Sequence, residues 1–316
     1  MADPVVRIRD LAYVRLRVPD LDAMERYLGD FGLARSARTD KALFMRGAGP
    51  SHHCHVSELG SDAGLVGFGF LAASADDLER MAKTPGASAV EDTGEPGGGR
   101  RVVLHDPWGN RIDLVHGIAE VAPLAVPAGP GFNFGSRVER RGDVTRVPQG
   151  PSRVLRLGHG GINVPDPDEA FEWYHSRFGI LQSDVIAVGD FRLAMFCRCD
   201  RGAEPTDHHS FLIARSLDGQ LGLNHVSFEV AGLDDIWLGH DYLAERNYRH
   251  TWGIGRHTLG SQIFDYWRDP WGQIHEHYTD GDLLTASTPT GECGPEAGGS
   301  QWGPQMPMDF GRTLAD

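Results

Sequence analysis

The chain has 316 residues, with 30 basic against 44 acidic side chains and a formal net charge of −14. That length suits about two domains, and the charge argues against a nucleic-acid or anionic-membrane binder, because phosphate recognition wants a basic surface. Hydrophobic residues at 40% and charged residues at 23% match a folded globular protein and exclude global disorder. No apolar run approaches the roughly 20 residues of a membrane span, and the start, MADPVVRIRD, does not read as a secretory signal. Four cysteines are no disulfide framework, so a cytoplasmic location is expected.

Leu11 begins a strand, residues 21–31 read as a helix, and three strand-like runs follow at Ala34–Arg38, Ala42–Arg46 and Cys54–Glu58. Leu65 restarts the series, with a helix near Asp76–Lys83, a strand at Arg101–His105, an Asp106-Pro107-Trp108-Gly109 turn and a last strand at Arg111–His116. Residues 122–152, rich in Pro, Gly and Arg, read as a connection. The whole series then returns. LAYVRLRVPDLDAMERYLGDFGL, from Leu11, is echoed by LGHGGINVPDPDEAFEWYHSRFGI, from Leu157. LVGFGFLAASADDLERM, from Leu65, is echoed by LNHVSFEVAGLDDIWLG, from Leu223, and HDPWGNRID by RDPWGQIHE. The chain is duplicated, and each copy divides in two. The expected fold is α+β, with four βαβββ modules starting near residues 9, 65, 155 and 222 and paired into two domains. Domain boundaries are expected at 1–121 and 153–284, with a Gly/Pro-rich tail over 285–316 that lies on the surface or is partly disordered.

Duplication allows one copy to be tested against the other. The second copy carries His159, His225 and Glu276 at positions where the first carries Tyr13, Gly67 and Asp113. If the first strands of both modules and a last strand line one concave sheet, those three side chains converge. Two imidazoles and a carboxylate on one face leave coordination positions open, as in non-haem Fe(II) sites that activate oxygen. The competing explanation is that 15 histidines scatter and three ligand types meet by chance. One metal per chain is therefore expected, in the C-terminal half and not in the N-terminal half.

Gly255-Arg256-His257, Tyr266, Asp269-Pro270-Trp271-Gly272 and Glu276 together resemble the signature of the type I extradiol ring-cleavage dioxygenases of the vicinal oxygen chelate superfamily. One departure is Asp265, where that family usually carries an apolar residue. The resemblance covers about residues 8–284 and implies curved mixed sheets, a non-catalytic N-terminal pair of modules and a catalytic C-terminal pair. It implies His159, His225 and Glu276 as ligands of Fe(II), with Mn(II) able to replace it, and O2 as co-substrate. His209, from the pair that opens HHSFLIARS, matches the acid/base histidine, and His208 is expected on the opposite face of the strand. His257 and Tyr266 match residues that hydrogen-bond the bound diol. A catechol must lose a proton to chelate a metal, and a histidine neutral near pH 7 can accept one. The implied partner is a small aromatic diol, and the implied assembly a homo-oligomer.

Other features have plainer readings. His52-His53-Cys54-His55 offers metal-type ligands, yet it sits where HHSFLIARS sits in the other copy and is more simply the duplicated strand. Cys197 and Cys199 share a strand face without a second pair and are expected to be buried and inert. His275 and His277 flank Glu276 and should face away from it. Trp108 and Trp271 are expected to anchor their turns, and Glu139-Arg140-Arg141 to be a solvated stretch of the connection. Gly97-Gly98-Gly99 precedes a strand rather than a helix, which argues against a nucleotide cradle. Three function classes follow: extradiol cleavage of a substituted catechol, another Fe(II) oxygenase of the same superfamily with a hydroquinone-type or hydroxyphenylpyruvate-like substrate, and a non-enzymatic ligand-binding protein. A full ligand set with a candidate acid/base favours the first.

Overall fold

The computed structural model describes residues 3–127 and 131–314. Residues 1–2, 128–130 and 315–316, which belong to the expected start, connection and tail, lie outside the described residues. The first module runs β1 (Asp10–Val18), α1 (Leu21–Phe31), β2 (Ala34–Arg38), β3 (Ala42–Arg46) and β4 (His55–Leu59). The second runs β5 (Gly64–Leu71), α2 (Ala75–Met81), β6 (Glu91–Asp92), β7 (Arg100–His105) and β8 (Arg111–His116). The third has β9 (Val154–Val164), α3 (Pro167–Phe178), β10 (Leu181–Val188), β11 (Phe191–Arg198), a short β12 (Thr206–Asp207) and β13 (Phe211–Arg215). The fourth has β14 (Gly222–Val230), α4 (Leu233–Glu245), β15 (Arg249–His257), β16 (Ile263–Arg268) and β17 (Ile274–Thr279).

The repeated Val-Pro-Asp turn works as a helix start in both copies. Asp20 accepts the backbone N–H groups of Asp22 and Ala23, and Asp166 those of Asp168 and Glu169, so each carboxylate caps the helix that follows. Leu21, Met24, Tyr27, Leu28 and Phe31 then form the single buried stripe of α1. Helix α2 ends at Met81, short of the expected Lys83, and β4 begins one residue later than expected.

The first two modules make an eight-stranded mixed sheet of order β2-β3-β4-β1-β5-β8-β7-β6. The last two make the same arrangement, with β13, β9, β14 and β17 at its centre. The faces turned away from the ligand positions pack together. The ring of Phe31, at the end of α1, stacks at 3.7 Å on His277, and Phe68 meets Phe211 edge-on at 5.5 Å. His277 donates from Nε2 to the carbonyl of Phe31 at 2.7 Å, and His275 lies between Tyr27, Phe31 and His55. Both histidines therefore face the other half of the molecule, as their alternation with Glu276 requires.

The C-terminal segment lies over the second sheet and is ordered by strand pairing. After β18 (Leu283–Leu284), which pairs with β12, β19 (Gly291–Cys293) adds to β10 at one edge of the second sheet. A short 3-10 turn, Pro295–Gly298, leads to β20 (Ser300–Trp302), which adds to β15 at the opposite edge. The segment thus crosses the open side of the sheet and makes it ten-stranded. Its low periodicity hid this, because one edge strand of three residues at each end carries no legible pattern. Among the described residues no helix is long and apolar enough to cross a membrane.

Candidate active site

His159 lies in the middle of β9 and His225 near the start of β14. These are neighbouring antiparallel strands, and β17, carrying Glu276, runs parallel to β14 on its other side. Two residues of β14 oppose one of β9 at Asn224, and this bulge aims His225 toward the concave face. His159 Nε2 is 3.0 Å from His225 Nε2 and 3.0 Å from Glu276 Oε2, and His225 Nε2 is 3.7 Å from the same oxygen. All three side chains are buried, Glu276 completely.

The surroundings prepare these atoms as donors to a cation. His225 gives its Nδ1 proton to Asn224 Oδ1 at 2.7 Å, which leaves the Nε2 lone pair facing His159 and Glu276. Asn224 in turn donates to Asn163 Oδ1 at 2.7 Å, and Asn163 donates to the carbonyl of Gly311 at 2.6 Å. A side chain at residue 311 would meet the Asn224 amide at 2.5 Å, so glycine is what lets the C-terminal segment approach this closely. Neither oxygen of Glu276 has a hydrogen-bond partner, nor does His159 Nδ1. Burial alone would raise the Glu276 carboxyl, but the imidazoles of His159, His257 and His225 hold it well below the usual carboxylate range. A buried carboxylate without a donor is costly unless a cation pairs with it. The residues fit a divalent metal ion of the kind held by two imidazoles and a carboxylate.

Beside His225 lies a cavity of about 60 Å³ lined by His209, His225, Trp252, His257, Tyr266 and Phe310, among others. His209 reaches it with its ring 4.1 Å from that of His159. His208 points elsewhere: its Nε2 donates to Asp184 Oδ2 at 2.6 Å, and its Nδ1 lies 3.0 Å from His209 Nδ1. With Asp184 taking the Nε2 proton, His208 Nδ1 is an acceptor and His209 Nδ1–H the donor to it. His209 is thereby fixed with its Nε2 unprotonated. Burial, followed by the neighbouring imidazoles, pushes its pKa well below 6.5, so the ring is neutral at pH 7. His257 Nε2 and the Tyr266 hydroxyl share a 2.8 Å hydrogen bond on the far side of the cavity. Tyr266 stands directly across from Glu276 on the neighbouring strand. Burial and the Glu276 charge keep its phenol protonated, well above pH 10.

The corresponding place in the first copy has been closed. Tyr13 donates to Asp113 Oδ2 at 2.8 Å, Arg111 binds the other oxygen at 2.7 Å, and the buried Arg15 guanidinium lies 3.7 Å away. At Gly67 a Cβ would lie 1.7 Å from the Arg111 carbonyl oxygen, so no imidazole can enter there. His52 and His53 form a pair bonded through Nδ1 atoms at 3.1 Å, the counterpart of His208 and His209. Among the described residues they, Cys54 and His55 do not gather into a metal-ligand group. Cys197 and Cys199 are buried, and burial raises both thiols. Trp108 and Trp271 are partly buried against the core.

A family model described as "Glyoxalase/Bleomycin resistance protein/Dioxygenase superfamily" matches residues 156–276, the half that carries this site. Metapyrocatechase 2 of Cupriavidus necator is 30% identical over 326 residues, spanning 99% of this chain and 94% of that one. The chain belongs to the extradiol dioxygenases of the vicinal oxygen chelate superfamily. The dioxygenase is also 32% identical over 179 residues to 3-methylcatechol 2,3-dioxygenase of Pseudomonas putida, covering 54% of this chain and 53% of that one. Its fold is that of homoprotocatechuate 2,3-dioxygenase from Arthrobacter globiformis, with TM-score 0.79, 20% identity and coverage of 99% and 94% of the two chains. The Mn(II)-bound glyoxalase from Novosphingobium aromaticivorans shares it too, with TM-score 0.78, 21% identity and coverage of 98% and 96%.

Sequence reasoning missed the Asn224–Asn163–Gly311 chain and the residues of the C-terminal segment in the cavity wall. Asn224 sits beside a predicted ligand, but the bulge that brings it into play is a property of strand pairing. Phe310, whose ring lies 4.9 Å from that of Tyr266 and 6.0 Å from that of His225, has no local signal at all.

Proposed function

We propose that this dioxygenase cleaves a substituted catechol beside its diol, inserting both atoms of O2 to give a ring-opened semialdehyde or keto acid, and that His159, His225 and Glu276 hold Fe(II). The observation that carries this reading is the fully buried Glu276 carboxylate, bare of hydrogen bonds and faced by two imidazole nitrogens. Bound there, Fe(II) would supply Lewis acidity toward the diol and the redox capacity to engage O2. Mn(II) accepts the same donors, and availability decides between the two.

The chain's own residues handle protons and orientation. His209 Nε2, left unprotonated by the Asp184–His208–His209 chain, takes a proton from the entering diol and returns it to an oxygen during ring opening. Tyr266, held protonated, donates to a diol oxygen, and His257 fixes the direction of its hydroxyl. Trp252 and Phe310 wall the cavity and exclude water. Phe196, Leu212, Gly298 and Phe310 are shared with a larger adjoining cavity of about 400 Å³, whose other walls include Ile186, Leu193 and Met308. A ring substituent would lie there, against a mostly apolar wall that also carries Arg215 and Arg312. The resemblance further implies a homo-oligomer, and the acidic composition suits a cytoplasmic protein without nucleic-acid partners. Anaerobic loading with iron, then catechol, then oxygen, tests the reading: a yellow ring-cleavage product is expected, and recovery of intact catechol would refute it.

A further inference from the structure

Asp265 stands on β16 immediately before Tyr266, so its side chain points to the opposite face of the sheet, away from the catechol cavity. Its carboxylate is fully buried. Trp267 Nε1 donates to Oδ2 at 2.6 Å, His250 Nε2 lies 2.8 Å from Oδ1, and His240 Nδ1 lies 3.1 Å from Oδ2. The three residues come from different elements: His240 from α4, His250 from β15 and Asp265 from β16. One nitrogen of each imidazole and one carboxylate oxygen lie within 4.8 Å of one another. Ligand atoms 2.0–2.1 Å from a tetrahedral ion stand about 3.3 Å apart, close to the nitrogen–oxygen separations found here. The side chains of His240 and His250 are 26% and 32% exposed, so water can complete the coordination.

The first copy shows that the fold does not need a polar cluster here. The DPWG turns are offset by 269 − 106 = 163, which places Val102 at the position of Asp265. The second modules are offset by 223 − 65 = 158, which places Ala82 at the position of His240. That copy fills the space with hydrocarbon, and Val102 is fully buried. Burying a carboxylate instead costs several kcal/mol unless it is paired, and here the partners are two metal-type imidazoles and one indole N–H.

We propose that His240, His250 and Asp265 form a second metal site, for a divalent transition ion of the zinc type, on the face of the sheet opposite the catechol cavity. The Trp267 N–H orients the carboxylate from behind, as outer partners of metal ligands do. The ion ties α4 to the β15–β16 hairpin that carries His257 and Tyr266.

Cobalt(II) tests this, because its visible bands report an ion bound by nitrogen and oxygen ligands. Iron-loaded enzyme titrated with Co2+ under anaerobic conditions should take up one further equivalent, with its iron content unchanged. His240→Ala and His250→Ala should each lose that equivalent while keeping iron and catechol turnover. Trp267→Phe should weaken cobalt binding about 10–100-fold. His225→Ala, which should release the iron, should keep the second equivalent, so failure at one site is read separately from failure at the other. No uptake beyond the iron, or uptake that survives in both histidine variants, overturns the proposal and leaves a hydrogen-bonded cluster only.

Discussion

Replacing His209 by Phe separates binding from chemistry. The ring it removes contributes no ligand atom: the three atoms facing one another are His159 Nε2, His225 Nε2 and Glu276 Oε2. Iron content and catechol affinity should therefore stay near those of the parent. The fold loses one hydrogen bond, from His209 Nδ1 to His208, worth about 0.5–1.5 kcal/mol. That is small beside the total stability of a domain, about 5–15 kcal/mol. On the proposed role of His209, turnover loses a positioned acid/base and should fall about 10²–10⁴-fold. At 1.36 kcal/mol per decade this adds about 2.7–5.4 kcal/mol to the barrier. The neighbouring substitution should do the reverse. His208→Phe leaves Asp184 without its partner, costing about 1–3 kcal/mol of stability. Its effect on turnover should be the smaller of the two, since His209 Nε2 still faces the cavity. Iron analysis, catechol titration and steady-state rates on both variants decide the matter. A His209→Phe enzyme with parental turnover, or a His208→Phe enzyme that is the more damaged in rate, would refute the reasoning.

Asn163→Ala cuts the hydrogen-bond chain from His225 to the Gly311 carbonyl, and iron affinity measured by anaerobic chelator competition should fall about 10–100-fold; unchanged affinity would show that Asn224 orients His225 unaided. Asp113→Ala should leave iron content untouched while lowering stability toward urea. The loss should lie near the lower end of the about 3–5 kcal/mol for breaking a buried pair, since Arg15 keeps Glu58 and Glu95. A loss of iron in that variant would contradict the closure of the first copy.

The convergence of His159, His225 and Glu276 was legible because the chain contains its own comparison. Tyr13 and Gly67 against His159 and His225 say where chemistry was kept, and strand alternation says which side chains share a face. His209 was singled out by the resemblance, and strand alternation put His208 on the other face; the structure adds that Asp184 takes the His208 ring, which in turn bonds His209. What stayed hidden depends on contacts distant in sequence. The C-terminal segment reads as featureless because its order comes from edge pairing and from Phe310 against Tyr266, not from any periodicity of its own. Asp265 was visible only as a departure from a resemblance; that it collects two imidazoles from different elements required the folded sheet.

The central claim is that the His159–His225–Glu276 site directs both atoms of one O2 into a catechol ring beside the diol. Turnover of the iron-loaded enzyme under 18O2, followed by mass analysis of the yellow product before it exchanges with water, tests this most directly. The account predicts a ring-opened semialdehyde or keto acid carrying two labelled oxygens, absent in Glu276→Ala. A singly labelled product, or a diacid cleaved between the two hydroxyl-bearing carbons, would contradict it.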